Sequence, residues 1–146
     1  MAFERLTKAD IALSQLNLAI SLYLEDRELV SAVTLAGAAD EILGTLCEKA
    51  GVRSALNRNA DSARALYKHL WKKDPGSKPF KILRSKTRNE LKHLISGAPI
   101  EIDLAAEAGR LLAHAVENYC ALFKSETPKM RDFQRKRLHA YRMRGV

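Results

Sequence analysis

The chain has 146 residues, 47% hydrophobic and 29% charged, with a net charge of +8. That length supports one domain with one core, and the composition excludes an intrinsically disordered chain. The positive charge is local: residues 64–92 carry ten Lys/Arg against two acids, residues 127–146 carry seven against one, and the rest is net acidic. Such a field suits a polyanionic partner, with a solvated basic face and tail as the plain alternative.

In chain order, a first helix is expected over residues 8–24. Thr7 and Asp10 have capping-box spacing, with Asp in place of the usual Glu. Residues 11–24 are apolar but are interrupted by Ser14, Gln15, Asn17 and Ser21. They are too short to span a membrane and lack the flanks and cleavage site of a signal peptide. No membrane association and a cytoplasmic location are therefore expected. A second helix is expected over 28–50, stopped by Gly51. Its small residues Ala36, Gly37, Ala38 and Ala39 allow another helix to approach closely. Residues 51–59 read as a loop, and a third helix over 61–73, started by Asn59 or Asp61, ends at Asp74-Pro75-Gly76.

A fourth helix is expected over 79–95, with Pro79 in its first turn and Ser96-Gly97-Ala98-Pro99 as its breaker. Asp103 caps a fifth over 104–124. Thr127-Pro128 sets off a basic segment over 129–144 with weak helical character. The expected fold is therefore all-α: an up-and-down bundle of four to five helices over 1–126, followed by a basic tail over 127–146. Cys47 and Cys120 lie in apolar helical contexts and read as buried free thiols.

The fourth helix carries the chemistry. At about 100° per residue, Phe80, Leu83, Thr87, Leu94 and Ile95 share a stripe with Leu91 that should face the core. Lys81, Arg84, Arg88 and Lys92 lie along one flank. Ile82, Asn89 and His93 lie near the opposite pole, a grouping that looks like a second interface. Arg88-Asn89-Glu90-Leu91-Lys92-His93 joins a permanently charged phosphate clamp to a side chain that titrates near neutrality. Asn89 is four residues before His93 and can orient its ring. The same Arg-to-His spacing recurs at Arg64 and His69, but His69 stands among Tyr67, Leu70 and Trp71, a packing cluster. His114 falls on the polar stripe of Asp103, Glu107, Arg110 and Glu117 and reads as a surface residue. His139 lies in the basic tail.

An Arg followed by a polar residue, three further residues and a His, late in a small α-bundle, resembles the HEPN domain family over residues 8–124. The resemblance implies a helical bundle that dimerises with its motif helices facing each other. It implies a metal-independent endoribonuclease, often a toxin or defence component, or else an inactive relative serving as a protein- or RNA-binding module. Antitoxins and nucleotidyltransferases are partners the resemblance brings with it. The implied catalytic residues are Arg88, Asn89 and His93. Asp40 or Glu41 would be the supporting acid, although a solvated helix charge accounts for either; Asp40 shares a stripe with Val33, Ala36, Leu43 and Cys47 and would want a buried partner such as an Arg.

RNA would be held by Lys81, Arg84 and Lys92, with the tail arginines adding salt-sensitive affinity. Tyr67, Trp71 and Phe80 have stacking capacity, although core packing is the stronger reading for all three. The homodimer would form through the face of Ile82, Asn89 and His93. The chain offers no His-x-x-x-His pair, Cys pair or carboxylate cluster for a metal, and no glycine-rich phosphate loop, so no metal and no cofactor are expected. A third possibility is a basic helical adaptor outside that family, in which Arg88 and His93 are incidental.

Overall fold

The computed structural model describes residues 2–92 and 97–145, without the side chains of Thr87 and Lys92. Among these residues the protein is all-helical: α1 (Lys8–Leu24), α2 (Leu29–Lys49), α3 (Ala55–Trp71), α4 (Lys78–Lys92), α5 (Leu104–Phe123) and α6 (Pro128–Met143).

Local chemistry sets the boundaries. At α1 the Thr7 hydroxyl accepts from the Asp10 amide at 3.1 Å, and the Asp10 carboxylate accepts from the Thr7 amide at 2.8 Å. The α2 helix ends with the chain reversing through Gly51 at φ +74°, a conformation that glycine adopts without strain. Asp103 and Thr127 accept amide hydrogens at the starts of α5 and α6.

Two boundaries differ from expectation. The α3 helix begins six residues before Asp61, because Ser54 caps it and Glu48 braces the turn. The Ser54 amide donates to the Glu48 carboxylate at 2.8 Å, and the Asn57 side chain donates to it as well. The basic tail is also no loose segment. It forms a helix of 16 residues, and its Met130 and Phe133 are fully buried. A segment that anchors apolar side chains in a core is helical through packing more than through propensity.

The core lies among α1, α2 and α5. Leu16 and Ile20, Val33 and Leu43, and Leu111, Leu112 and Val116 interdigitate there. Alanines at 12, 19, 32, 36, 39, 108 and 115 let the three helices close up around them. By length and composition α2 alone among the described helices could cross a membrane, contrary to the expectation that no segment qualifies. Here its apolar face is the middle of the core.

The α3–α4 pair forms an outer layer. Leu91 packs on the core edge, and Phe80 meets the Tyr67 ring edge-on at 6.3 Å. Leu83, expected on the core-facing stripe with them, is 70% exposed. The α4 helix packs on α2 and α3, and Arg110 of α5 donates to the Arg84 carbonyl at 2.8 Å, yet Leu83 on that stripe stays in solvent. Thr87, Leu94 and Ile95 lie outside the described side chains. The cluster expected around His69 is also open: His69 is exposed, and Leu70 and Trp71 are more than half exposed, because no described residue covers them at the end of α3. Only Tyr67 stacks on Trp71, at 4.9 Å.

Candidate functional site

Arg88 enters the molecule where α4 crosses α2. Its aliphatic stem lies on Gly37, and a Cβ built on that glycine would sit 2.7 Å from Arg88 Cγ. The missing side chain at position 37 is what turns Arg88 inward, away from the flank it would otherwise share with exposed Arg84 and half-buried Lys81. Its Nε is buried and has no hydrogen-bond partner among the described residues. The guanidinium borders a recess of about 460 Å³, formed with Asp40, Gly44, Thr45, Ser54 and Asn57. Asn89 is half-buried beside it. His93, expected to complete the motif, lies outside the described residues, as does the Lys92 side chain.

Asp40 is 5% exposed. A carboxylate so far from water needs partners, and it has them on α5 in place of the arginine expected for it. Asn118 Nδ2 donates to its Oδ1 at 3.0 Å, and His114 Nδ1 faces its Oδ2 at 3.9 Å. Glu41 is exposed on the next position.

His114 is therefore no surface residue. It is 4% exposed, because the polar stripe of α5 faces α3, which lies over it. Its Nε2 stands 2.7 Å from Asn59 Nδ2. With the amide donating, the ring proton sits on Nδ1 and points at Asp40. Half-buried Asn59 and buried His114, Asp40 and Asn118 thus form one polar cluster from α3 through α5 to α2, in which His114 Nδ1 has no hydrogen-bond partner among the described residues.

Asn118 is the member that sequence reasoning missed. It is fully buried. Its side-chain oxygen accepts from the Ala55 amide at 2.8 Å while its amide holds Asp40, so one residue ties α3 and α2 to α5. The available signal was its position seven residues after Leu111, a polar side chain in register with an apolar stripe. The Cys47 thiol faces the Asn118 carbonyl at 3.4 Å, and burial raises the pKa of both Cys47 and Cys120, which keeps them as protonated thiols.

Glu48, at the rim of the recess, is a strongly shifted carboxyl. The Ser54 amide first, then the Asn57 side chain, hold its pKa down at about 2. It keeps a fixed negative charge on the side of the recess opposite the α2–α4 crossing. Among the described residues no group of three or more His, Cys, Asp or Glu side chains is placed to hold a metal ion.

No protein-family model, curated protein or solved structure matches this chain.

Proposed function

We propose that this protein is a HEPN-like, metal-independent endoribonuclease that acts on RNA as a homodimer. The observation that carries this reading is the Arg88 guanidinium, turned into a recess beside buried Asp40 with its Nε unpartnered, five residues before His93. A half-buried arginine at the edge of a recess, with an N–H that has no partner among the described residues, can serve as a receptor for a phosphate oxygen. In this mechanism His93 of one protomer takes the proton from a ribose 2′-hydroxyl. That oxygen attacks the adjacent phosphorus while Arg88 donates to the non-bridging oxygens. The bond to the 5′-oxygen breaks, and His93 of the second protomer supplies its proton. The products are a 2′,3′-cyclic phosphate and a 5′-hydroxyl. Asn89 orients the imidazole, Asp40 steadies the guanidinium field, and Lys81, Arg84 and Lys92 hold the flanking backbone.

The second protomer docks through the outer face of α4, where Ile82 is 60% exposed. A C2 axis there brings both motif helices to one cleft. An antitoxin or a nucleotidyltransferase partner would cover the same face.

One observation favours the non-catalytic alternative, a HEPN-like dimer that binds protein or RNA. The Arg88 stem packs on Gly37 so closely that it also serves as a wedge between α2 and α4. The test is cleavage of structured and single-stranded RNA in the presence of chelator, by the wild-type chain, Arg88→Lys and His93→Ala. Cleavage by the wild type that both variants lose while keeping their circular dichroism supports the nuclease. A wild type that binds RNA or dimerises without cleaving it supports the alternative. A monomer that does neither overturns both.

A further inference from the structure

We infer that the end of the α3–α4 pair docks on the surface of an anionic lipid bilayer, at a site separate from the Arg88 recess and independent of the nuclease reading. Ala63 borders a hollow with Phe80 and Leu83, and Leu83 borders a second with Pro75 and Pro79. Leu66 and Leu70 follow Ala63 by three and seven positions and so share its side of α3. Leu66, Leu70, Trp71 and Leu83 are all more than half exposed. Single exposed apolar side chains are ordinary, but a continuous patch marks a surface for a protein or a membrane.

Charge chooses between the two. Residues 64–86 hold eight Lys/Arg and one acid, Asp74. That acid is already taken, by Arg64 at 2.7 Å and Lys68 at 3.7 Å. Exposed Lys72, Lys73, Lys78 and Lys86 have no carboxylate within ion-pair distance among the described residues. Lys78 and Lys86 flank the hollow of Pro75, Pro79 and Leu83. A second copy of the chain would set lysines against lysines across a twofold axis. A bilayer with anionic headgroups meets both parts of the patch: its surface attracts the ammonium groups, and its acyl boundary takes up the leucines while the lysine stems lie along it.

The kinds of side chain point the same way. Six of the eight cations are lysines, compact hydrated charges that suit a diffuse anionic surface better than the bidentate contacts arginine makes with one carboxylate or phosphate. Trp71 stands beside Leu70 at the end of α3, and indoles settle at the headgroup level of bilayers. A nucleic acid would use the lysines but bury little of Leu66, Leu70 and Leu83, and the Tyr67 ring is already engaged by Trp71 and Phe80. Docking on a surface needs no spanning helix, so it departs from the absence of membrane association expected from the sequence.

Trp71 is the sole tryptophan of the chain, so its emission reports on this patch alone. The full chain is titrated with vesicles of phosphatidylcholine and phosphatidylglycerol, with phosphatidylcholine vesicles, and with a short single-stranded RNA, and vesicle binding is measured by cosedimentation. The mixed vesicles are expected to bind at least about tenfold more tightly than phosphatidylcholine alone, to shift the emission to the blue, and to quench it when their acyl chains are brominated. Lys72→Gln and Lys73→Gln together should weaken binding about thirtyfold, about fivefold for each charge. Leu70→Ser, which keeps the reporter, should weaken it about fivefold. Arg142→Gln, exposed on α6, should change it less than about twofold. Vesicles that do not bind, binding that leaves the emission unmoved, or an equal loss in Arg142→Gln and in the lysine pair overturns the proposal. RNA that quenches Trp71 while vesicles leave it unmoved assigns the patch to nucleic acid and overturns it too. None of these outcomes depends on whether the protein cleaves RNA.

Discussion

Helices α1, α2 and α5 meet through alanines and bury Leu16, Ile20, Val33, Leu43, Leu111, Leu112 and Val116 almost completely, whereas α3 and α4 leave Leu66, Leu70, Trp71, Ile82 and Leu83 more than half exposed. The inner three helices hold the fold together by excluding water from apolar area. The outer two are attached in part by specific contacts: hydrogen bonds from Asn118 to the start of α3 and from Glu48 to the turn before it, and the aliphatic stem of Arg88 on Gly37 where α4 crosses α2. The candidate chemistry lies at the seam between the two regions, where a rigid layer meets one that is less deeply packed.

That contrast can be broken from the inside first. Leu43→Ala or Leu112→Ala should cost ~2–5 kcal/mol in denaturant unfolding, since each leaves a cavity between helices that cannot close further. Asn118→Ala should come close to this, at ~2–5 kcal/mol. It strands the Ala55 amide and removes the hydrogen bond from a buried carboxylate. If Asn118→Ala proves neutral, the outer layer does not depend on this anchor.

Gly37→Ala probes the seam itself. Its Cβ would collide with the Arg88 stem at 2.7 Å, so a loss of about 1–3 kcal/mol is expected from overpacking. Adding Arg88→Ala should restore part of it, and a double-mutant cycle measures the coupling. Strict additivity would show that the two residues do not share that space.

A smaller effect, visible through pH, concerns the brace of α3. The Glu48 carboxyl has its pKa lowered from an ordinary 4.5 to about 2. The folded form therefore favours the ionised state. Its contribution is fully present above about pH 4.5 and disappears as pH falls through about 2. Glu48→Gln should melt below the wild type at neutral pH, with the gap narrowing over that acid window; a gap independent of pH would assign the effect to something other than the charge. Least affected should be Leu83→Ser on the outer face, within about 0.5 kcal/mol in the monomer's unfolding, because its side chain is already mostly in water.

Much of the fold was legible in the sequence. Capping residues, glycines and Asp74-Pro75-Gly76 mark the helix ends because they act within a few residues of themselves. The α6 helix was less legible: its charge suggested a tail, and only Met130 and Phe133 entering the core made it a packed helix. At the site, the Arg88–Asn89 pair and Asp40 could be picked out. The direction of Arg88 could not, because it depends on a glycine 51 positions away in the chain. His114 showed the same limit from the other side: a polar stripe on α5 reads as solvent-facing until another helix is known to lie over it.

By itself the sequence determined the helical class, most helix boundaries and the uneven charge, since each arises from local periodicity, capping and composition. Tertiary structure alone decided which polar groups lost their water. Burial of Asp40, His114 and Asn118 in one cluster, and the turning of Arg88 into a recess, follow from how α2, α3, α4 and α5 cross, and desolvation depends on neighbours that no local pattern specifies.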